Sequence, residues 1–112
     1  MGKLRLLSLY LYSHFIYHYL METYYSINSK ISWRFIQNEI LILDSNGKQA
    51  AHDLNQIGSY IFEKIYQGVS TQQILQLLLN QYGDTPEVKN DFFKFLKELE
   101  DLAIICPAPH KD

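Results

Sequence analysis

Between Ile31 and Ile36 (ISWRFI) β-branched and aromatic residues put Trp33 and Phe35 on one face and Arg34 on the other, the two-residue period of a strand. Gln37-Asn38 reads as a two-residue turn, and Glu39 to Asp44 (EILILD) as a second strand, apolar on both faces. Asn46-Gly47 is the strongest short hairpin signal, because a type I′ turn needs positive φ at both central positions. It predicts a third, weaker strand from Lys48 to Asp53 (KQAAHD). With two-residue turns throughout, Phe35 faces Ile40, and Ile42 faces both Trp33 and Ala51. The predicted core face is therefore Trp33, Phe35, Ile40, Ile42 and Ala51. Leu41 and Leu43 point the other way and need cover, for which the apolar N-terminal segment is the available candidate.

The period then changes from two to three or four. Leu54, Ile57, Ile61, Phe62 and Ile65 form the stripe of a helix from about Asn55 to Tyr66, capped by Asp53 or Asn55. Gly58 interrupts that stripe at a cost of about 1 kcal/mol relative to Ala, which predicts the close approach of another backbone. Gly68 ends the helix. Ser70 to Gln73 has capping-box spacing and opens a second helix, Gln72 to Tyr82, with Ile74, Leu75, Leu78, Leu79 and Tyr82 inside. Thr85-Pro86 is a cap followed by proline at the first helical position. The third helix runs from Glu87 to about Leu102 on a stripe of Val88, Phe92, Phe95, Leu96, Leu99 and Leu102. Ile104-Ile105-Cys106 is a short apolar run, and Pro107 and Pro109 mark a tail. The fold class is α+β: a winged-helix-like unit with a three-stranded antiparallel sheet followed by three helices, plus an apolar N-terminal segment. In residue numbers, 1–28 is an aromatic extension, 29–106 the domain and 107–112 a tail.

The extension needs its own account. Lys3 and Arg5 precede Leu6 to Met21, a run with no Asp, Glu, Lys or Arg. As a helix it would span about 24 Å, short of the roughly 30 Å of hydrocarbon. It also contains Ser8, Ser13, His14 and His18, and no cleavage site follows it. A helix packed on the domain or on a second chain is favoured over a membrane anchor; a start at Met21 is the third reading. His14 and His18 are one helical turn apart, but no third ligand except Glu22 lies near, and Phe15 stands where a zincin has glutamate. No metal is expected.

Composition narrows the function. The chain of 112 residues carries 10 basic and 12 acidic groups for a net charge of −2, which argues against phosphate-backbone binding. One cysteine excludes an intrachain disulfide and a cysteine-based zinc cluster, so a reducing cytoplasm is the simplest compartment. The five glycines are scattered, with no phosphate loop, and no G-x-S-x-G elbow is present. Cys106 reads as a packed cysteine and His52 as an edge histidine. The carboxylates Asp91, Glu98, Glu100 and Asp101 alternate with lysines as a solvated helix face does. The chain reads as a non-enzyme that requires no cofactor.

Two features suggest binding. The predicted strand Lys48 to Asp53 is short, polar and last in its meander, so its main chain is open to a strand from another molecule; small Ala50 and Ala51 would let one approach. Phe93 falls outside the third helix's stripe, on a face with Lys89, Lys97 and Glu100. An open edge beside that helix would make a groove for an extended peptide.

Residues from about Ile31 to Ile105 resemble a PqqD-type domain, the recognition element of ribosomal peptide-modification (RiPP) pathways. The resemblance is carried by Trp33-Arg34, Leu54-Asn55 with Gly58, Ile61-Phe62, Gly68, Ser70-Thr71, Ile74 and Tyr82. It continues through Val88, Asp91, Phe95, Leu96, Leu99, Leu102 and Ile104-Ile105, over about two-thirds of the chain. It implies a non-catalytic, chaperone-like protein that binds the leader of a precursor peptide by strand addition. The leader is then presented to a modifying enzyme such as a radical-SAM protein, a cyclodehydratase or a leader peptidase. It also implies contact residues: Lys48, Gln49, Ala50, Ala51, His52 and Asp53 on the strand, and Lys89, Phe93, Leu96 and Lys97 on the third helix. The alternatives are a winged-helix DNA-binding regulator, disfavoured because Gln72 to Tyr82 contains no Lys or Arg, and a structural module in which the extension pairs two chains as a homodimer.

Overall fold

A computed structural model describes residues 22–44 and 51–108. In chain order they form β1 (Tyr24–Ile27), β2 (Ile31–Ile36), β3 (Glu39–Asp44), β4 (Ala51–Asp53), α1 (Gln56–Tyr66), α2 (Thr71–Tyr82), α3 (Pro86–Asp101) and β5 (Ile105–Ala108). The readings made for Leu6 to Met21, for the His14/His18 pair and for Asn46-Gly47, Lys48, Gln49 and Ala50 lie outside the described residues. Among the described residues no helix is long and apolar enough to cross a membrane.

The expected α+β arrangement is present, with β2, β3 and β4 side by side in one antiparallel sheet. Gln37 and Asn38 sit at φ 53° and 68°, the pair of positive values that matches a tight turn to the twist of its strands. The β2–β3 register follows: Trp33 faces Ile42 and Phe35 faces Ile40.

The next pairing departs from expectation by one position. His52, not Ala51, faces Ile42, and Ala51 faces Leu43. Seven residues separate Leu43 from Ala51, an odd number, whereas a two-residue turn needs an even one. A shift of one exchanges the two faces of a strand. His52 therefore shares the helix-facing side with Ile40 and Ile42, and Ala51 and Asp53 share the outer side with Leu41 and Leu43.

The core lies between this sheet and the helices. Ile40 and Ile42 are sealed against Phe62, Ile74, Phe92, Leu96, Leu99 and Ile104. The predicted core face is only partly realised. Trp33 is half-buried, its ring edge-on to Phe62 at 5.2 Å and to Tyr66 at 5.0 Å. Phe35 remains 48% exposed and meets the Trp33 ring at 5.8 Å. Ala51 is exposed because its register puts it on the outer face.

The helix starts obey their caps. Asn55 accepts from the Gly58 N–H, Ser70 from the Gln73 N–H and Thr85 from the Val88 N–H, with Pro86 following Thr85. These side chains satisfy donors that a helix start otherwise leaves without partners.

The sequence pattern did not announce a second sheet. β1 pairs antiparallel with β5, Tyr24 facing Ala108 and Ile27 facing Ile105. It is fastened at several points. Thr71 N–H donates to the Thr23 carbonyl at 2.8 Å, Asn28 N–H to the Ile104 carbonyl at 2.9 Å, and Asn28 Nδ2 to the Ala103 carbonyl at 2.8 Å. The Tyr25 hydroxyl donates to Glu100 at 2.6 Å. Burial first, then that hydrogen bond and the carboxylate's charge, push the Tyr25 phenol up to about 12. β1 thus lies on the extension side of the boundary expected at 28, and Pro107 and Ala108 of β5 lie on the tail side of the one expected at 106.

Candidate functional site

Among the described residues β4 is the margin of its sheet. Its junction with α1 is held by a buried serine. Leu54 N–H donates to the Ile40 carbonyl at 2.9 Å, Ile40 N–H to Ser59 Oγ at 2.8 Å, and Ser59 Oγ in turn to the Leu54 carbonyl at 3.1 Å. The ladder therefore ends on a side chain from the first helical turns instead of on an unpaired buried amide. Leu54 N–H points at β3, so alternation along the strand turns the main-chain groups of His52 toward β3 and those of Ala51 and Asp53 away from it.

Beside this free edge runs a groove of about 760 Å³, within the roughly 300–1,000 Å³ typical of ligand sites. β4 and the start of α1 form one wall and α3 the other, with Leu78 and Tyr82 of α2 and Ile104 completing the lining. The α3 wall is a single stripe of Val88, Asp91, Phe92, Phe95, Glu98, Leu99 and Leu102. Apolar side chains dominate the lining, with Phe92 and Leu99 deep and Phe95 and Val88 half-buried.

Gly58 shapes the middle of the groove. A Cβ there would stand 3.1 Å from Phe95 Cζ and 3.2 Å from Cε1. The neighbours that a side chain here would crowd are thus an aromatic ring of the opposite wall and the Asn55 cap oxygen, at 3.2 Å, not the backbone expected from the sequence. The helix gives up a better helix former, and the Phe95 ring lies flush against it.

The sequence-predicted contact residues divide sharply. Ala51, His52 and Asp53 line the groove; Lys48, Gln49 and Ala50 fall outside the described residues. The four on α3 do not line it. Leu96 is 3% exposed in the core. Phe93 is 51% exposed and touches the Phe92 ring edge-on at 5.3 Å. Lys89 pairs with Asp84 at 3.3 Å and Lys97 with Asp101 at 3.7 Å. The apolar residues of that wall, Val88, Phe92, Phe95, Leu99 and Leu102, belong to the stripe that periodicity assigns to the core, and Asp91 and Glu98 to the face it assigns to solvent. Gly58 was the one sequence signal that could have found them, since it marked a close approach.

The groove's electrostatics are one-sided. Asp53, Asp91 and Glu98 line it, and among the described residues no lysine or arginine does. Among the described residues none of the three carboxylates takes part in an ion pair. Among the described residues no group of three or more His, Cys, Asp or Glu is placed to hold a metal. Cys106 is exposed on β5, with Ser26 Oγ at 3.2 Å, and is not part of the groove lining. An open strand margin with an apolar trough beside it can accept an extended chain: main-chain groups pair at the edge and alternate side chains enter the trough.

Comparison with known proteins agrees with this architecture. Two solved structures share the fold. One is TbiB1 in complex with the TbiA(beta) leader peptide, with a TM-score of 0.65 and 21% identity, covering 71% of this chain and 93% of the other. The second is a lasso peptide synthetase B1 complexed with the leader peptide, with a TM-score of 0.63 and 16% identity, covering 74% of this chain and 98% of the other. No curated protein matches the sequence. Residues 39–105, from the start of β3 to the start of β5, match the family described as coenzyme PQQ synthesis protein D, and the chain belongs to this PqqD family.

Proposed function

We propose that this protein binds the leader of a ribosomally made precursor peptide as a strand added to β4, and presents it to a modifying enzyme without performing chemistry itself. The observation that carries the reading is the unpaired outer edge of Ala51 and Asp53, alongside the groove walled by Val88, Phe95 and Leu102. The two related folds support it, since both were solved with a leader peptide. Ala51 and Asp53 offer two N–H and two C=O groups; at about 0.5–1.5 kcal/mol net per hydrogen bond, edge pairing supplies a sequence-independent hold. The trough supplies selectivity through the side chains it accepts. Lys48, Gln49 and Ala50 would continue the same edge. A radical-SAM protein or another maturation enzyme is the recipient, and a reducing cytoplasm is the compartment in which a lone thiol and a ribosomal product would meet. No observation favours DNA: α2 carries no basic residue, and two of α3's three lysines are engaged by Asp84 and Asp101.

Ala51→Pro removes one outward N–H and places a ring in the path of an added strand, while the β3 side of the ladder runs through His52. A synthetic leader from a precursor gene beside this one, followed by fluorescence anisotropy, is expected to lose at least about tenfold in affinity, or 1.4 kcal/mol. The melting temperature should change little. Unchanged affinity in a folded variant would refute edge pairing.

A further inference from the structure

We infer that the segment this groove accepts is basic as well as apolar: a bulky aliphatic or aromatic residue seated in the trough, with lysine or arginine within about two positions of it. The inference rests on the peptide-binding reading above and specifies its ligand chemistry.

The argument starts from charge placement. The chain's net charge is only −2, yet among the described residues its trough is lined by three carboxylates and no lysine or arginine. Asp91 and Glu98 stand on the α3 wall, and Asp53 borders the trough from β4 with its side chain on the outer face of the sheet. Asp53 is on β4, and its main chain points outward, so a strand added there would place one residue directly opposite it, on the outer face of the sheet. Asp91 and Glu98 are seven positions apart on α3, two helical turns along the same stripe, and flank Phe95. Among the described residues, the basic groups nearest in sequence or register do not neutralise them. Lys94 lies within one turn of both α3 carboxylates but pairs with neither, Lys89 and Lys97 are engaged elsewhere, and Arg34 is separated from Asp53 by the width of Leu41.

An acidic segment entering this trough would meet like charge on both sides while losing water, which costs free energy that edge hydrogen bonds must offset. A purely apolar segment would fill the trough but leave three carboxylates partly desolvated without partners. A cation beside the anchor satisfies them, and it steers association at low ionic strength. The trough's volume suits one or two large side chains beside Asp91 and Glu98, with Asp53 at its β4 rim.

The test uses phage-displayed random peptides of about twelve residues, selected on the full chain. Enriched sequences are then made as fluorescent synthetic peptides. The expected result is a set in which Lys or Arg accompanies an aliphatic or aromatic residue. Their affinity should drop about tenfold in D53N/D91N/E98Q at about 50 mM salt, and the gap should narrow at about 500 mM. Glu98→Lys serves as a second variant if the triple variant fails to fold, and should shift the selection toward acidic peptides. Peptides whose binding is abolished by Ala51→Pro but unaffected by the charge variants would overturn this inference and leave the groove reading intact. A selection without binders, or binders indifferent to Ala51→Pro, would overturn the groove reading itself and this inference with it.

Discussion

The two strand systems of this protein treat their main chains in opposite ways. β1 and β5 close on each other, and Thr23 and Asn28 at the two ends of β1 are bound to Thr71, Ala103 and Ile104. β4, three residues long, is bound on one side and, among the described residues, unpaired on the other. The closed pair joins distant parts of the chain and stabilises the fold. The open margin keeps the outward main-chain groups of Ala51 and Asp53 available for the proposed pairing, and Ser59 holds it in shape. The contrast teaches that an exposed edge needs a rigid support: a strand that could fray would lose on binding much of what pairing contributes.

The strongest way to break the contrast is at that support. Ser59 is 2% exposed and serves both the Ile40 amide and the Leu54 carbonyl. Ser59→Ala leaves the Ile40 N–H buried without a partner, at about 1–3 kcal/mol. It also loosens the turn from β4 into α1. Chemical denaturation is expected to show that loss, and peptide affinity should fall with it, because the edge is no longer held. Full affinity in a destabilised variant would separate the margin from its support.

Tyr25→Phe cuts into the closed system instead. Loss of the hydrogen bond to Glu100 should cost about 1–2 kcal/mol and leave peptide affinity unchanged. The pH dependence sharpens this. Folding raises the phenol from 10.0 to about 12, so the folded state holds the proton more tightly than the unfolded one. The contribution is whole below pH 10 and disappears as pH climbs from 10 to 12. The stability difference between wild type and Tyr25→Phe, followed by denaturation across that window, should shrink. A constant difference would mean the carboxylate contact is not what holds β1 to α3.

The same contrast explains what could be read from the sequence. Local rules were legible. Gln37-Asn38 set the β2–β3 register, and Asn55, Ser70 and Thr85 set the helix starts, because each depends on residues within a few positions. β1–β5 was not, since Tyr24 and Ala108 meet across nearly the whole chain and no turn residues advertise the pairing. The register of β4 differs by one position from the one Asn46-Gly47 predicts: a local turn signal does not fix the number of residues between the paired strands. The groove-lining face of α3 is hidden for another reason. Periodicity marks which residues are apolar together, and Phe92, Phe95 and Leu102 are so by any count. It does not tell how much of a stripe the core covers, and here the core leaves Phe95 half-buried and Leu102 46% exposed along the groove.

Phe93 decides between the two faces of that helix, and its expected effect is the smallest. The sequence made it a contact because it lay off the stripe. The structure puts it outside the groove, half exposed, with Phe92 as its ring partner and with lysines one turn away on either side that pair with Asp84 and Asp101. Phe93→Ala forfeits one exposed edge-on aromatic contact, about 0.5–1 kcal/mol at most, and nothing that a strand on β4 would touch. Affinity for a bound leader peptide should therefore change less than about twofold, or 0.4 kcal/mol. A tenfold loss would place the bound segment across the far side of α3, out of reach of Ala51 and Asp53, and edge pairing would then have to give way to docking on the helix alone.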